Sequence, residues 1–262
     1  MSTDRNATVN TGARTLTARS VLLSVLLGTD PPRLPVGLLV RTTELFGIAE
    51  GTTRTALSRM VATGELTTTD GWYEIASPRL LQRQTRQAQS RRGSTRTWSG
   101  EWVQATVVTD RRRPAAERAA LRVELTEARF AELREGVWLR PDNLDQTPST
   151  HGDDLVWFRA RPTADPTELA RRLWDLDGWA TGADRLRGRI AELVTPLEAG
   201  DRTVLADGFV LSAEVLRHLQ ADPLLPDELL PDRWPGTGLR ADYERYDAAY
   251  RGVLRAWFAE HR

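Results

Sequence analysis

Gly47-Ile-Ala-Glu-Gly-Thr-Thr-Arg-Thr-Ala-Leu-Ser-Arg-Met-Val-Ala-Thr-Gly64 is the stretch on which the fold turns. At about 100° per residue, Ala56, Leu57, Met60 and Val61 fall on one side of a helix, enough apolar surface to dock it. The opposite side carries Thr55, Ser58, Arg59 and Ala62, flanked by Arg54. Small groups, hydroxyls and guanidinium forks without an acid among them suit phosphates and base edges. A hydroxyl at Thr52 or Thr53 can cap the helix, and Gly64 can take the left-handed conformation that ends it.

Upstream, helices are predicted from about Thr15 to Leu27 and from Pro35 to Phe46. The first is stopped by Gly28 and the Pro31-Pro32 pair. In the second, Pro35 occupies a first-turn position and Leu38, Leu39, Thr42 and Leu45 keep helical spacing. Downstream, Leu66 to Thr69 and Trp72 to Ile75 flank Asp70-Gly71, a pair suited to a tight turn with positive φ, so a hairpin follows the third helix. Three short helices followed by a hairpin make a winged helix-turn-helix. Ser77-Pro78 then opens a helix to about Arg92, bearing Arg79, Arg83, Arg86, Arg91 and Arg92 and no acid. The candidate DNA contacts are Thr53, Arg54, Thr55, Ser58, Arg59, Trp72, Arg79 and Arg83.

Gly93, Ser94 and Thr95 read as a hinge, after which the pattern changes. Trp102 to Thr109 alternates and is rich in β-branched residues, as a strand is. A long helix is predicted from Pro114 to about Leu133, ended by Gly136. Val137 to Leu139 and Asp154 to Ala160 are the next strands, and Pro166 to Leu176 the next helix. This β-α-β-β-α order is that of a ferredoxin-like half-sandwich without an evident fourth strand. Helices follow from Asp184 to Leu197, Arg202 to His218 and Leu239 to His261. Between the last two, a connector holding four prolines runs from Asp222 to Gly236 with leucines to bury.

The 262 residues are enough for a sizeable core in one large domain or in two to three small ones, and 40% of them are hydrophobic. A formal net charge of zero conceals an asymmetry. Positions 1–100 hold 13 arginines against 7 acids, and the remainder 23 against 29. A basic head on an acidic body steers one end toward a polyanion. All 36 basic residues are arginine, so no single site shows a preference for arginine over lysine. The absence of cysteine excludes disulfides, thiolate metal sites and thiol catalysis. Val21 to Leu27 is far shorter than the roughly 20 residues of a membrane span, and a soluble cytoplasmic protein is expected.

Four stretches together resemble the PaaX-type repressors of phenylacetic acid degradation: Thr53 to Gly64, Trp102 to Thr109, Gly136-Val-Trp-Leu-Arg-Pro141, and Asp222-Pro-Leu-Leu-Pro-Asp-Glu-Leu-Leu-Pro231. The resemblance implies an α+β multidomain chain. Its parts are an N-terminal winged helix-turn-helix, a central ferredoxin-like domain similar to the CRISPR adaptation protein Cas2, and a helical C-terminal domain. The expected boundaries are a flexible tail over 1–13, the DNA-binding domain and linker helix over 14–94, the Cas2-like domain over 95–177 and the helical domain over 178–262. It also implies a homodimeric repressor of catabolic genes, bound to a double-stranded operator and released by an aryl-acyl-CoA, phenylacetyl-CoA in the best-known members. A coenzyme A diphosphate wants guanidinium groups and an aryl or acyl tail wants indoles. The effector candidates are therefore Arg111, Arg112, Arg113, Arg159 and Arg161, with Trp138, Trp157 and Trp174. A regulator of another pathway with a different inducer is the alternative. A Cas2-like nuclease would use Asp110, but one carboxylate followed by three arginines is a poor metal site. His151, His218 and His261 lack ligand spacing. No catalytic residue, metal or cofactor is expected.

Overall fold

The computed structural model describes residues 9–11, 14–108, 114–145 and 154–260; the side chains of residues 9–16 and of Arg83 and Arg86 fall outside that description. The chain is mixed α and β, and it gathers into two compact units. One unit comprises Met1–Ala88, Arg189–Glu214 and Glu244–Arg262; the other comprises Gln89–Gly188 and Val215–Tyr243. The helices after residue 176 therefore contribute to both.

In the first unit, part of the expected tail is ordered: β1 (Val9–Thr11) pairs antiparallel with β2 (Arg14–Leu16). Helix α1 spans Ala18–Leu27 and starts three residues later than predicted. The Thr17 hydroxyl accepts from the Ser20 amide and the Ser20 hydroxyl from the Thr17 amide, a reciprocal cap that fixes the first turn. Strand β3 (Arg33–Pro35) leads into α2 (Val36–Glu44), and α3 covers Glu50–Ala62. The predicted hairpin is present as β4 (Leu66–Thr69) and β5 (Trp72–Ile75), with φ of 51° at Asp70 and 76° at Gly71. Sequence reading missed β3, which pairs with β5 and makes a three-stranded sheet in the order β3-β5-β4. Three residues ending in proline carry no periodicity to read; the β5 edge imposes their extended form.

The core of this unit gathers one face from each helix and the inner ends of the hairpin: Leu22, Leu23, Leu26, Leu39, Leu57, Met60, Leu66 and Ile75. Helix α4 (Pro78–Arg92) starts at the predicted residue, and its Gln84 amide donates to the Leu27 and Thr29 carbonyls, both at 3.1 Å. Phe209 meets Phe46 edge to face at 4.7 Å, and Arg251 donates to the Gly28 carbonyl at 2.8 Å. Arg189–Glu214 and Glu244–Arg262 of the C-terminal helices thus belong to the same unit as the three-helix head.

The second unit is built on a four-stranded sheet, β6 (Trp102–Val107), β7 (Ala131–Arg134), β8 (Val137–Pro141) and β9 (Leu155–Ala160), ordered β7-β8-β6-β9 with antiparallel neighbours throughout. Strand β7 corrects the sequence reading, which ran one helix on to Leu133. Helix α5 is Ala115–Glu127; Arg129 turns the chain with φ of 69°, and Gly136, φ 78°, turns it again between β7 and β8. Ala-Glu-Leu-Arg favours a helix in isolation, and pairing with β8 overrides that weak preference.

Helix α6 (Pro166–Leu173) starts under the Asp165 carboxylate, which accepts from the Thr167 and Glu168 amides, with proline at the first position. Trp174 is extended and ends α6 earlier than predicted, and α7 runs over Leu176–Glu198 rather than from Asp184. Asp175 supplies the missing start signal by accepting from the Gly178 amide at 3.0 Å. Helices α8 (Leu205–Gln220) and α9 (Gly236–Glu260) follow, and the proline-rich connector between them buries Leu225 and Leu229 as expected. One sheet face is covered by α5 through Leu121 and Leu125, while Trp102 and Leu139 on the other pack with α6 and the connector.

Candidate nucleic-acid interface and a cationic cavity

Helix α3 docks through Thr53, Leu57 and Met60 and leaves Arg54, Thr55, Ser58, Arg59 and Ala62 exposed, the outward face that the spacing predicts. Thr53 itself is a correction. It is fully buried, and its hydroxyl lies 2.6 Å from that of Thr43 on α2, so it joins two helices and cannot reach a ligand outside. Nor does it cap the helix: Ala49 holds the cap position, and Gly64 takes the expected positive φ of 71°.

Arg54 is tied to Glu50 one turn back, at 2.7 Å, with both side chains more than half exposed. An exposed pair at this spacing is worth only about 0.3 to 0.5 kcal/mol, so a phosphate can take the guanidinium over at little cost. Thr55 and Ser58 donate to the carbonyls of Gly51 and Arg54, and their oxygens keep accepting capacity toward solvent.

On the hairpin, Trp72 is 41% exposed and lies under the Arg33 guanidinium at 4.9 Å. These two, with Thr67, Thr69 and Glu74, line a shallow hollow of about 160 Å³. Arg33 was not among the sequence candidates, because its place beside Trp72 depends on the unread strand β3. Arg79 is exposed near the start of α4, and Arg83 lies on the same helix with its side chain outside the described residues.

A larger cavity, about 360 Å³, opens on the sheet of the second unit. Register explains its chemistry. Val103 on β6 faces Arg140 on β8 and Arg159 on β9, so the two guanidinium groups straddle one cross-strand row. The next row, Trp138, Ala105 and Trp157, belongs to the core under α5. Arg96, Asp142, Leu144, Asp145, Trp157 and Phe158 complete the lining.

Asp142 holds the cluster together: Arg96 donates to one of its oxygens and Arg159 reaches the other at 3.0 Å. Arg140 is only 3% exposed and stands over the Phe130 ring at 4.9 Å. Burial pushes its pKa down to about 10, against the opposing pull of Asp142. A guanidinium at that value is still charged at neutral pH.

Of the effector candidates, then, Trp157 and Arg159 line this cavity. Trp138 does not: it is buried beneath α5, where the Arg122 guanidinium approaches its ring at 5.8 Å. Trp174 stacks on Trp102 at 6.2 Å in the core on the other face. Arg161 is exposed just past β9, and Arg111, Arg112, Arg113 and Asp110 lie outside the described residues. Arg96, Arg140 and Asp142 were missed, since only strand register brings positions so far apart in sequence to one row.

Two family patterns match the chain: "PaaX-like protein" over residues 17–76 and "PaaX-like protein C-terminal domain" over residues 174–260. The chain belongs to the PaaX-like protein family. A solved structure, the uncharacterized protein Rv0674 from Mycobacterium tuberculosis, is 44% identical over 92% of this chain and 98% of its own, with a TM-score of 0.72. No curated protein matches the sequence.

The first PaaX-like match contains α1, α2, α3 and the hairpin, and with them the exposed face of α3. The residues that line the cavity, from Arg96 to Arg159, fall between the two matched stretches. Among the described residues, no group of three or more His, Cys, Asp or Glu side chains could hold a metal ion, and no helix is long and apolar enough to cross a membrane.

Proposed function

We propose that this PaaX-like chain is a DNA-binding transcriptional regulator, a repressor of catabolic genes whose head is a winged helix-turn-helix. The observation that carries the reading is the outward face of α3, where two arginines and two hydroxyls stand on a helix anchored by Leu57 and Met60. The hairpin that follows fits a wing, with Trp72 and Arg33 on it. The contact set becomes Arg54, Thr55, Ser58, Arg59, Trp72, Arg79 and Arg83, to which Arg33 is added and from which Thr53 is withdrawn.

The remaining assignments follow the same reading. The strand order β7-β8-β6-β9 with antiparallel neighbours supports a ferredoxin-like, Cas2-like middle domain, although α6 follows the last strand. We assign 9–94 to the DNA-binding domain with its paired β1 strand and its linker helix, 95–177 to the middle domain and 178–262 to the helical domain, in a homodimer that works in the cytoplasm. Two copies of α3 enter successive major grooves of a twofold operator. Arginines neutralise phosphates there, while Thr55 and Ser58 meet base edges.

The effector is an aryl-acyl-CoA such as phenylacetyl-CoA. The cavity accepts part of it: Arg96, Arg140 and Arg159 answer phosphate charge, and Trp157 offers a ring face to the tail. Such a ligand lowers DNA affinity only by binding the off-operator geometry more tightly than the bound one.

The test is fluorescence anisotropy with labelled duplex from upstream of the protein's own gene. We expect tight binding that unrelated duplex does not compete away, weakened by phenylacetyl-CoA more than by coenzyme A or phenylacetate alone. Arg59→Ala weakens binding to specific and unrelated duplex alike and lowers the salt slope by about 1 for each copy, as the loss of a phosphate contact does. Equal competition by unrelated duplex contradicts the regulator reading.

A further inference from the structure

We propose that the last turn of α4 senses the cavity, with Asn143 and Arg240 as the positioning residues that carry its occupancy to that helix. The proposal rests on the effector reading above and names the residues through which it works. Helix α4 ends at Arg92, Gly93 turns the chain with φ of 61°, and Arg96 already lines the cavity. This turn is held from both sides. Beyond it, the Arg96 amide donates to the Asn143 carbonyl at 2.8 Å and the Arg96 guanidinium pairs with Asp142. Within the helix, buried Ser90 accepts from Arg129 on its hydroxyl, at 2.8 Å, and from Arg240 on its carbonyl, at 3.3 Å. Arg240 lies so near that a Cβ at Gly93 would come within 2.3 Å of its Nε.

Buried polar groups join the two holds. The Asn143 side chain, fully enclosed, donates to the Leu224 carbonyl at 2.8 Å. The Leu224 amide donates to one oxygen of Asp222 at 2.9 Å, and Arg240 takes the other at 2.8 Å. Every residue of this path belongs to the second unit. Asp142, the neighbour of Asn143, holds Arg96 and Arg159 at the cavity. A phosphate anion entering there competes with that carboxylate for the same two guanidinium groups. As Asp142 yields, the chain at Asn143 moves with it, and both holds on the turn change together. A fully hydrogen-bonded buried network passes between discrete arrangements, here a clamped and a released end of α4, and a ligand that favours one of them shifts the balance. The same helix carries Arg79 and Arg83 near its start, so its last turn is where a cavity ligand reaches an element assigned to DNA contact.

The experiment measures the link between the two ligands in the full chain. Operator affinity is read by anisotropy with and without saturating phenylacetyl-CoA, and phenylacetyl-CoA affinity by calorimetry, for wild type, Asn143→Ala and Arg240→Lys. The lysine keeps a charge against Asp222, but one ammonium does not reproduce the fork that also reaches the Ser90 and Gly236 carbonyls. We expect phenylacetyl-CoA to weaken wild-type operator binding about tenfold or more. In each variant the two separate affinities stay within about threefold of wild type, while the weakening falls to about twofold or less. Amide exchange reads the same event without a substitution: phenylacetyl-CoA should lower the protection of residues 89–93 in the wild type.

Undiminished weakening in both variants overturns the proposal, and so does a ligand-bound wild type whose protection over residues 89–93 is unchanged. Should a variant fail to fold or lose either affinity by itself, amide exchange on the wild type decides. The reading beneath the proposal fails in a different way. A wild type that binds its operator specifically and ignores phenylacetyl-CoA removes the effector and the path with it, whereas a responsive wild type with equally responsive variants removes the path alone.

Discussion

The head and the sheet unit hold themselves together by different physics. Around α3 the core is almost wholly aliphatic, and its internal polar link is the Thr43 and Thr53 hydroxyl pair. The sheet unit instead buries Arg140, Asp142, Asn143 and Asp222 and stacks its indoles, with Trp179 lying 4.5 Å from both the His218 and the Trp234 rings. An aliphatic core leaves a helix free to spend its outer face on a partner. A core stitched by ions and rings puts charge where a small anion can address it. In the proposed function, the first unit meets a long polyanion and the second a single metabolite, and the difference between the two cores is what would fit each to its partner.

The largest effect that would break this contrast is expected at Arg240. Its guanidinium lies 2.8 Å from Asp222, with side chains only 13% and 2% exposed, and it also donates to the Ser90 carbonyl. Arg240→Ala strands a buried carboxylate and should cost about 3 to 5 kcal/mol in urea denaturation. Removing both partners should cost less than the two single changes added together. A loss below about 1 kcal/mol would mean that this unit is held by its apolar contacts after all.

A smaller effect tests the head. Thr53→Ala should lower stability by about 1 to 2 kcal/mol, since the Thr43 hydroxyl loses a partner, and should leave the preferred DNA sequence unchanged. A shifted sequence preference without lost stability would place Thr53 on the outer face and rotate α3.

The smallest is a pH effect. Burial pushes the His218 imidazole below its ordinary value, outweighing the Trp179 carbonyl that its ring contacts at 2.9 Å and nearby Asp222, while Arg185 adds to the depression. The folded state thus resists a proton that the unfolded state accepts. Stability is full above pH 6.5 or so and declines as pH falls through the ordinary imidazole range. Thermal melts from pH 7.5 to 5 should show this decline, and His218→Gln should flatten it; an unchanged slope would remove the imidazole from the balance.

The same contrast governs what the sequence discloses. Helix α3, its exposed face and the Asp70-Gly71 hairpin were legible because helical spacing and turn chemistry act over a few neighbouring residues. Thr53 was misplaced by its hydroxyl, a group that serves equally well as a cap, a base contact or a buried link to Thr43. In the sheet unit little that matters is local. The row of Arg140, Val103 and Arg159 and the grip of Asp142 on Arg96 join residues far apart in the chain, while Ala131–Arg134 becomes a strand through a hairpin with β8 that its helix-favouring residues conceal. The proline-rich connector is the exception, because its prolines forbid a helix and its leucines must be buried wherever it lies.

The central claim, that the outer face of α3 grips a polyanion, is tested most directly by the salt dependence of operator affinity for wild type and for the Arg54→Ala/Arg59→Ala variant. Each phosphate contact contributes about 0.9 to the slope of log affinity against log salt, so losing two guanidinium groups from each of two copies should flatten it by about 3 to 4. A wild-type affinity indifferent to salt, or an equally steep slope in the variant, would contradict the account.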